Sequence, residues 1–363
     1  MTTIPAIKTT VRQSNIELLR LVVMGMIVLH HFIFHGLGLY RNLAFSETPL
    51  MDANDTKLAL IADSFLICGV NVFILISGWF SIKFKAKSFV KLFAICSFFA
   101  VLGWGIHLAI NDIPIGGGIL LRFVKRAVFV ISSKTWWFIQ LYFLLMFLSI
   151  PINKYIENTS RKSLVYTIGV LLFMNVYLGW IQGIEFVKDG YNLFNFIMLY
   201  LIGRYLRLYW NNDYGKHSDL WVFIASSIAT AVLALILNRM GRNAYIALSY
   251  NSPFIIIASI SMLLLITKFN FKSKTINYLA GSSLAIYLFQ DGGYNCYGYI
   301  RQMYISGVPA MKFAVMIIVF FMLSMLVPIA IDKLRLLLFS RLEEKAADVL
   351  DKKVFQKYIE KSL

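Results

Sequence analysis

Short basic breaks divide the chain into ten apolar runs, each close to the length of a bilayer-crossing helix. A spanning helix takes about 20 mostly apolar residues. Inside lipid no water is present to satisfy backbone N–H and C=O groups, so each run must close its own hydrogen bonds by coiling. The runs lie at 17–38, 62–82, 89–110, 136–153, 163–182, 192–210, 218–237, 245–267, 275–291 and 309–331. The pattern predicts an all-α polytopic membrane protein with about ten transmembrane helices. Composition agrees: 59% of the 363 residues are apolar and only 15% are charged. Soluble domains carry roughly 45–50% and about 25%. A soluble enzyme, a secreted disulfide scaffold and a disordered regulator are thereby excluded. The first run is too long for the apolar core of a signal peptide and reads as a retained span. Pro253 inside the eighth run predicts a kink supported by neighbouring helices.

The formal net charge is +17. In a soluble chain this would suggest nucleic acid as partner. Here the cations sit in the breaks, where they set topology, and no aromatic–basic surface motif points to DNA or RNA. One set of breaks holds Lys83, Lys85, Lys87 and Lys91. The same side then receives Lys154, Arg161 and Lys162, then Arg204, Arg207 and Lys216, then Lys268, Lys272 and Lys274. The positive-inside rule places these loops, and with ten spans both termini, in the cytoplasm. Residues 332–363 alternate charge with apolar side chains and read as a charged amphipathic cytoplasmic tail after the membrane domain of 1–331. Cys68, Cys96 and Cys296 are too scattered for a disulfide framework. Cys68 and Cys96 read as small buried hydrophobes.

One segment departs from this charge pattern. Residues 119–131 fall on the outer side, yet Arg122, Lys125 and Arg126 recur there at spacings of three and four. That is an amphipathic helix lying on the membrane. Two readings fit it: contact with lipid headgroups, or a basic surface for an anionic glycan or lipid-linked acceptor.

The first span, NIELLRLVVMGMIVLHHFIFHG, carries Glu17, Arg20, His30, His31 and His35. Ionisable groups in a spanning helix are costly unless they face the protein interior or water. Arg20 and His31 are eleven residues apart, close to three turns, so they share a face about 16 Å apart along the axis. Glu17 lies one turn before Arg20 and can pair with it. His35 follows His31 on the same face, and His30 points about 100° away. Arg20 suits a phosphate-bearing molecule entering from the cytoplasm, because its guanidinium forks onto phosphate. His31 suits proton transfer near neutral pH. The alternative is that Arg20 snorkels to headgroups and His31 bridges helices. His31 and His35 have a spacing compatible with zinc, but no acidic or cysteine partners surround them, so no metal is expected.

Other polar residues are single points. Asn71 and Ser77 lie on the second span, with Asp63 at its mouth and Gly78 allowing close packing. Gln140 lies beside Trp136 and Trp137, which read as interface anchors. Tyr142 can line a polar cavity, and Gln290 closes the ninth run. Each has a packing or boundary role as its alternative. Hydrolase, zinc-protease, nucleotide-loop and dinucleotide motifs are absent.

Taken in order, the segments ELLRLVVMGMIVLHH, GVNVFILISGWF (69–80), WWFIQLYFLLMFLSIP (136–151) and SSLAIYLFQ resemble the acyltransferase 3 family of bacterial integral-membrane acyltransferases. The family's opening helix has an Arg and a His separated by ten residues, here Arg20 and His31. Its late helix commonly ends in His, where this chain has Gln290. The resemblance runs over 15–331. It implies an enzyme of the bacterial cytoplasmic (inner) membrane, multi-pass in the bilayer, with no permanently bound cofactor. Such enzymes move an acyl group, usually acetyl from cytoplasmic acetyl-CoA, onto a hydroxyl of an exported envelope glycan such as capsule or O-antigen. It also implies His31 as proton acceptor, Arg20 as a CoA contact, and Lys83, Lys85, Lys87 and Lys91 as attraction for nucleotide phosphates. The rival reading is a transporter or flippase of a lipid-linked glycan, without covalent chemistry.

Overall fold

A computed structural model describes residues 12–43, 48–111, 116–132, 136–210, 215–292 and 296–353. Every regular element among them is helical. The first run forms α1 (Ser14–His31), which passes directly into a π-helical turn at Phe32–Gly36. There Leu37 N–H reaches back five residues to the Phe32 carbonyl at 2.8 Å. After α2 (Leu39–Leu43) comes α3 (Ala53–Leu66), started by the Asp52 carboxylate, which accepts the Asn54 and Asp55 N–H groups. Capping of this kind supplies partners that a helix start otherwise lacks. A short turn leads to α4 (Gly69–Phe80), and α5 (Ala86–Ile110) and α6 (Gly117–Val128) follow. Next are α7 (Trp137–Asn158), with Pro151 inside it, and α8 (Arg161–Leu172), prolonged by a π-helical stretch to Ile181. The later helices are α9 (Leu193–Tyr209), α10 (Lys216–Arg239), α11 (Pro253–Thr267), α12 (Lys274–Ala280), α13 (Ser283–Asp291), α14 (Tyr297–Ile305) and α15 (Ala310–Leu350).

Among the described residues, eight helical stretches are long and apolar enough to cross a bilayer. They are 14–36, 53–80, 86–110, 137–158, 161–181, 217–239, 244–267 and 310–353. Two of the ten expected runs differ. The run at 192–210 forms α9, whose 17 residues rise only about 25 Å, against about 30 Å of hydrocarbon. The run at 275–291 is not one helix. It breaks at Gly281–Ser282 into α12 of seven residues and α13 of nine. Gly has the highest backbone entropy and Ser competes for backbone hydrogen bonds, so Gly-Ser-Ser is a weak point in an apolar run. The proline expectation also needs correction. Pro253 sits in the first turn of α11, where its missing N–H costs nothing, and no interior kink results. The last helix runs unbroken past Asp332 to Leu350. The final ten residues of the expected tail lie outside the described residues.

The helices sort into two compact units. The first comprises residues 1–81, 151–281 and 296–321. Within it α4 packs chiefly on α9, α10 on α11 and α3, and α1 on α12 and α4. The α4–α9 approach is backbone to backbone. A Cβ at Gly78 would lie 2.0 Å from the Tyr200 carbonyl oxygen, and one at Gly203 would lie 2.2 Å from that of Leu75. Only hydrogen fits at either position, the usual device for closing helices together in a membrane. Buried asparagines tie the loops to this frame: Asn71 Nδ2 donates to the Tyr250 carbonyl at 2.8 Å. Asn251 Nδ2 donates to those of Asn175 and Val187.

The second unit comprises residues 82–150, 282–295 and 322–363. In it α6 folds back on α5, with Ser97 Oγ donating to the Ala127 carbonyl at 2.7 Å. Along α15, Arg335 is buried with Asp332 and Glu343, and Lys87 meets Glu344 at 3.3 Å. Cys68 and Cys96 are buried free thiols, as expected of small hydrophobes.

Candidate active site

The histidine-bearing end of α1 lies in the first unit. His30 Nδ1 is 2.6 Å from Asp63 Oδ1. His30 is buried and Asp63, from α3, is 0% exposed. A carboxylate held this way fixes the imidazole: Nδ1 carries the proton toward Asp63 and Nε2 is left as the basic nitrogen. The other oxygen, Oδ2, is buried with no hydrogen-bond partner among the described residues. A buried polar group so placed is costly unless a partner compensates it, which makes the His30 contact important for this site.

The His31 ring centre is 5.4 Å from that of His30 and 5.5 Å from that of His35. His35 stacks on Tyr297 at 5.5 Å, and its carbonyl accepts from Arg301 Nη2 at 2.6 Å. His30 stacks on Phe34 at 5.3 Å. The π-helical turn begins one residue after His31. Such turns widen a helix locally and recur at functional sites. Here three imidazoles form one aromatic-lined cluster, although an α-helical projection turns His30 away from the other two.

Around Phe34 the cluster continues into Tyr245, at 5.9 Å, whose hydroxyl meets that of Tyr191 at 2.9 Å. Ser249 Oγ donates to Asp189 Oδ1 at 3.3 Å. Asp189 occupies a left-handed backbone conformation, φ 60°. Burial pushes its carboxyl above the ordinary value, against the opposing pull of Lys188 and the Ser249 hydrogen bond.

Toward the start of α1, Arg20 Nη1 lies 3.1 Å from Glu17 Oε1. Glu17 is buried and also takes Arg12 at 3.1 Å. Two guanidinium groups thus share one carboxylate, leaving net positive charge there. Arg20 keeps 31% of its side chain exposed and lies over the Phe80 ring at 5.9 Å. Asn71 is buried and spent on the Tyr250 carbonyl, and Ser77 Oγ donates to the Phe73 carbonyl at 3.0 Å.

The remaining sequence candidates belong to the second unit. Lys83, Lys85, Lys87 and Lys91 are exposed around the start of α5. Trp137 packs edge-on against Phe138, which stacks on Tyr142 at 5.8 Å. Gln290 is buried. Trp136 is buried as well, so it is a packed side chain rather than the interface anchor expected. Arg122, Lys125 and Arg126 are exposed on α6, and Arg126 stacks over Trp104 at 4.2 Å.

The structure therefore brings His30, His31 and His35 together and adds three residues that sequence reasoning left out of the site. Asp63 carried a signal, a carboxylate within an apolar run. Tyr297 and Arg301 carried none, since they approach from α14. Among the described residues no group of three or more His, Cys, Asp or Glu stands where it could hold a metal ion.

No curated protein and no solved structure matches the chain. The family model of the acyltransferase domain, type 3, matches residues 13–333. That match covers the imidazole cluster, Asp63 and nearly every helix described. This all-α, multi-pass chain belongs to the acyltransferase 3 family of membrane acyltransferases.

Proposed function

We propose that the protein is an O-acetyltransferase of the bacterial inner membrane. It takes acetyl from cytoplasmic acetyl-CoA and delivers it to a hydroxyl of an exported envelope glycan. The observation that carries this reading is the imidazole cluster with its buried Asp63. Acyl transfer to an alcohol needs a base for the hydroxyl proton and a way to return that proton to the leaving thiolate. In the proposed step the acceptor oxygen attacks the thioester carbonyl. A C–O bond forms, the C–S bond breaks, and His31 takes the hydroxyl proton and passes it to the CoA sulfur. His30, held by Asp63, positions His31. His35 lies on the acceptor side. Arg20 holds CoA phosphates, with Glu17 and Arg12 setting its orientation, and Lys83, Lys85, Lys87 and Lys91 raise the local concentration of the anionic donor.

Mass spectrometry of envelope glycans, with and without the protein, tests this reading. One acetyl mass per modified sugar is expected to vanish in its absence. Unchanged masses with altered sidedness of a lipid-linked glycan would replace the enzyme with a flippase.

A further inference from the structure

The amphipathic α6 carries a feature the acyl-transfer reading does not use. A cavity of about 340 Å³ opens in the second unit, lined by Ala100, Lys125, Arg126, Phe129, Ser132 and Trp136, with Gly292 at its edge. Its size sits at the low end of small-ligand pockets, about 300–1,000 Å³. Among the described residues two cations line it and no carboxylate does, and the Ser132 hydroxyl at its wall donates to the Phe129 carbonyl at 3.0 Å. Arg126 is held in place: its guanidinium lies 4.2 Å above the Trp104 ring, which leaves the planar N–H edge available. The Ser97–Ala127 hydrogen bond pins this part of α6 to α5. The cations are therefore presented by a braced surface.

The opposite face of α6 decides what kind of anion fits. Leu120, Leu121, Val124 and Val128 recur at helical spacing and are all more than half exposed. They lie about 140° around the helix from Arg122, Lys125 and Arg126. Phe129, at the cavity, is 63% exposed. A ligand that satisfies both faces needs a compact anionic head and a hydrocarbon body. A soluble nucleotide has only the first.

We propose that α6 and this cavity bind a phosphate-bearing lipid. Lys125 and Arg126 take the phosphate oxygens, and the hydrocarbon lies along Leu120, Leu121, Val124 and Val128. The inference goes beyond acyl transfer and does not depend on it. Two sources share this chemistry: an anionic phospholipid of the bilayer and a prenyl phosphate carrier.

The test is native mass spectrometry of the full-length protein in detergent. Phosphatidylglycerol, farnesyl phosphate and uncharged diacylglycerol are each added. Retention of at least one phosphate lipid, with no retained diacylglycerol, is expected. The double variant Lys125→Gln/Arg126→Gln should lose about tenfold in retention or more, one such factor being about 1.4 kcal/mol. Arg126→Lys keeps the charge but loses the fork and should fall between. Lys162→Gln/Lys272→Gln removes the same charge elsewhere and should leave retention intact. Displacement of phosphatidylglycerol by farnesyl phosphate assigns the site to a prenyl carrier, and the reverse assigns it to the bilayer. Equal retention of diacylglycerol, or equal loss in both double variants, overturns the proposal.

Discussion

Replacing Asp63 with Asn tests the imidazole cluster most directly. The change keeps shape and burial and removes one charge from a 2.6 Å contact with His30. Hydrogen bonds to charged groups contribute about 1.5–3 kcal/mol. If that interaction serves to align the proton acceptor in the transition state, turnover falls about 10- to 150-fold, at 1.36 kcal/mol per decade. Asp63→Ala is harsher. It strands His30 in a buried site without its carboxylate, and breaking a buried pair costs about 3–5 kcal/mol of stability. The assay is acetyl transfer from acetyl-CoA by purified variants in nanodiscs, with thermal unfolding followed in parallel. The Asn variant should keep its unfolding temperature close to the parent and lose rate. Parental turnover in that variant, or rate lost only in proportion to folded protein, would reduce the pair to a tie between α1 and α3.

Three further outcomes follow from other parts of the chain. His31→Ala should remove nearly all acetyl transfer, because a positioned acid–base group contributes about 10²- to 10⁴-fold, whereas His35→Ala should be milder; equal losses in product formation would refute the distinction. Gly203→Ala drives a Cβ to within 2.2 Å of the Leu75 carbonyl oxygen and should destabilise by about 1–3 kcal/mol, read as a lower unfolding temperature in detergent; an unchanged temperature means that α4 and α9 separate freely. Burial raises the Asp189 carboxyl above its unfolded value, so its ionisation opposes folding. Stability from this group is present below the unfolded value of 3.8 and is lost as pH rises through the folded value. Asp189→Asn should therefore flatten that part of a stability–pH profile, and a profile identical to the parent refutes the assignment.

Hydrophobic run length made most of the membrane architecture legible, because lipid leaves the backbone one way to satisfy itself. It failed where backbone chemistry outweighed hydropathy. The Gly281–Ser282 break is invisible to a sum of apolar residues, since the flanking side chains remain apolar on both sides. The rule that proline kinks a membrane helix misplaced Pro253, because the helix start, and not the apolar run, decides what a proline does. The cluster was half legible. Three imidazoles within six residues stood out in the sequence, and the pairing of Glu17 with Arg20 followed from their spacing. His30 points away from the other two rings on a helical projection, and its partner lies 33 residues away on another helix. A π-helical turn also gathers rings that an α-helical wheel keeps apart.

The His30–Asp63 bond also bears on how the protein is made. An aspartate in an apolar span opposes insertion, by up to about 2.5–3.5 kcal/mol where it stands alone at the bilayer centre. The stretch carrying Asp63 emerges from the ribosome after the one carrying His30. The imidazole is thus already available when the carboxylate needs it, and the first two spans can enter lipid as a pair, each lowering the other's cost. A circular permutant that delivered α3 before α1 would meet the membrane with its acid exposed. The order of helices along the chain is then part of the information that gets this protein into its bilayer.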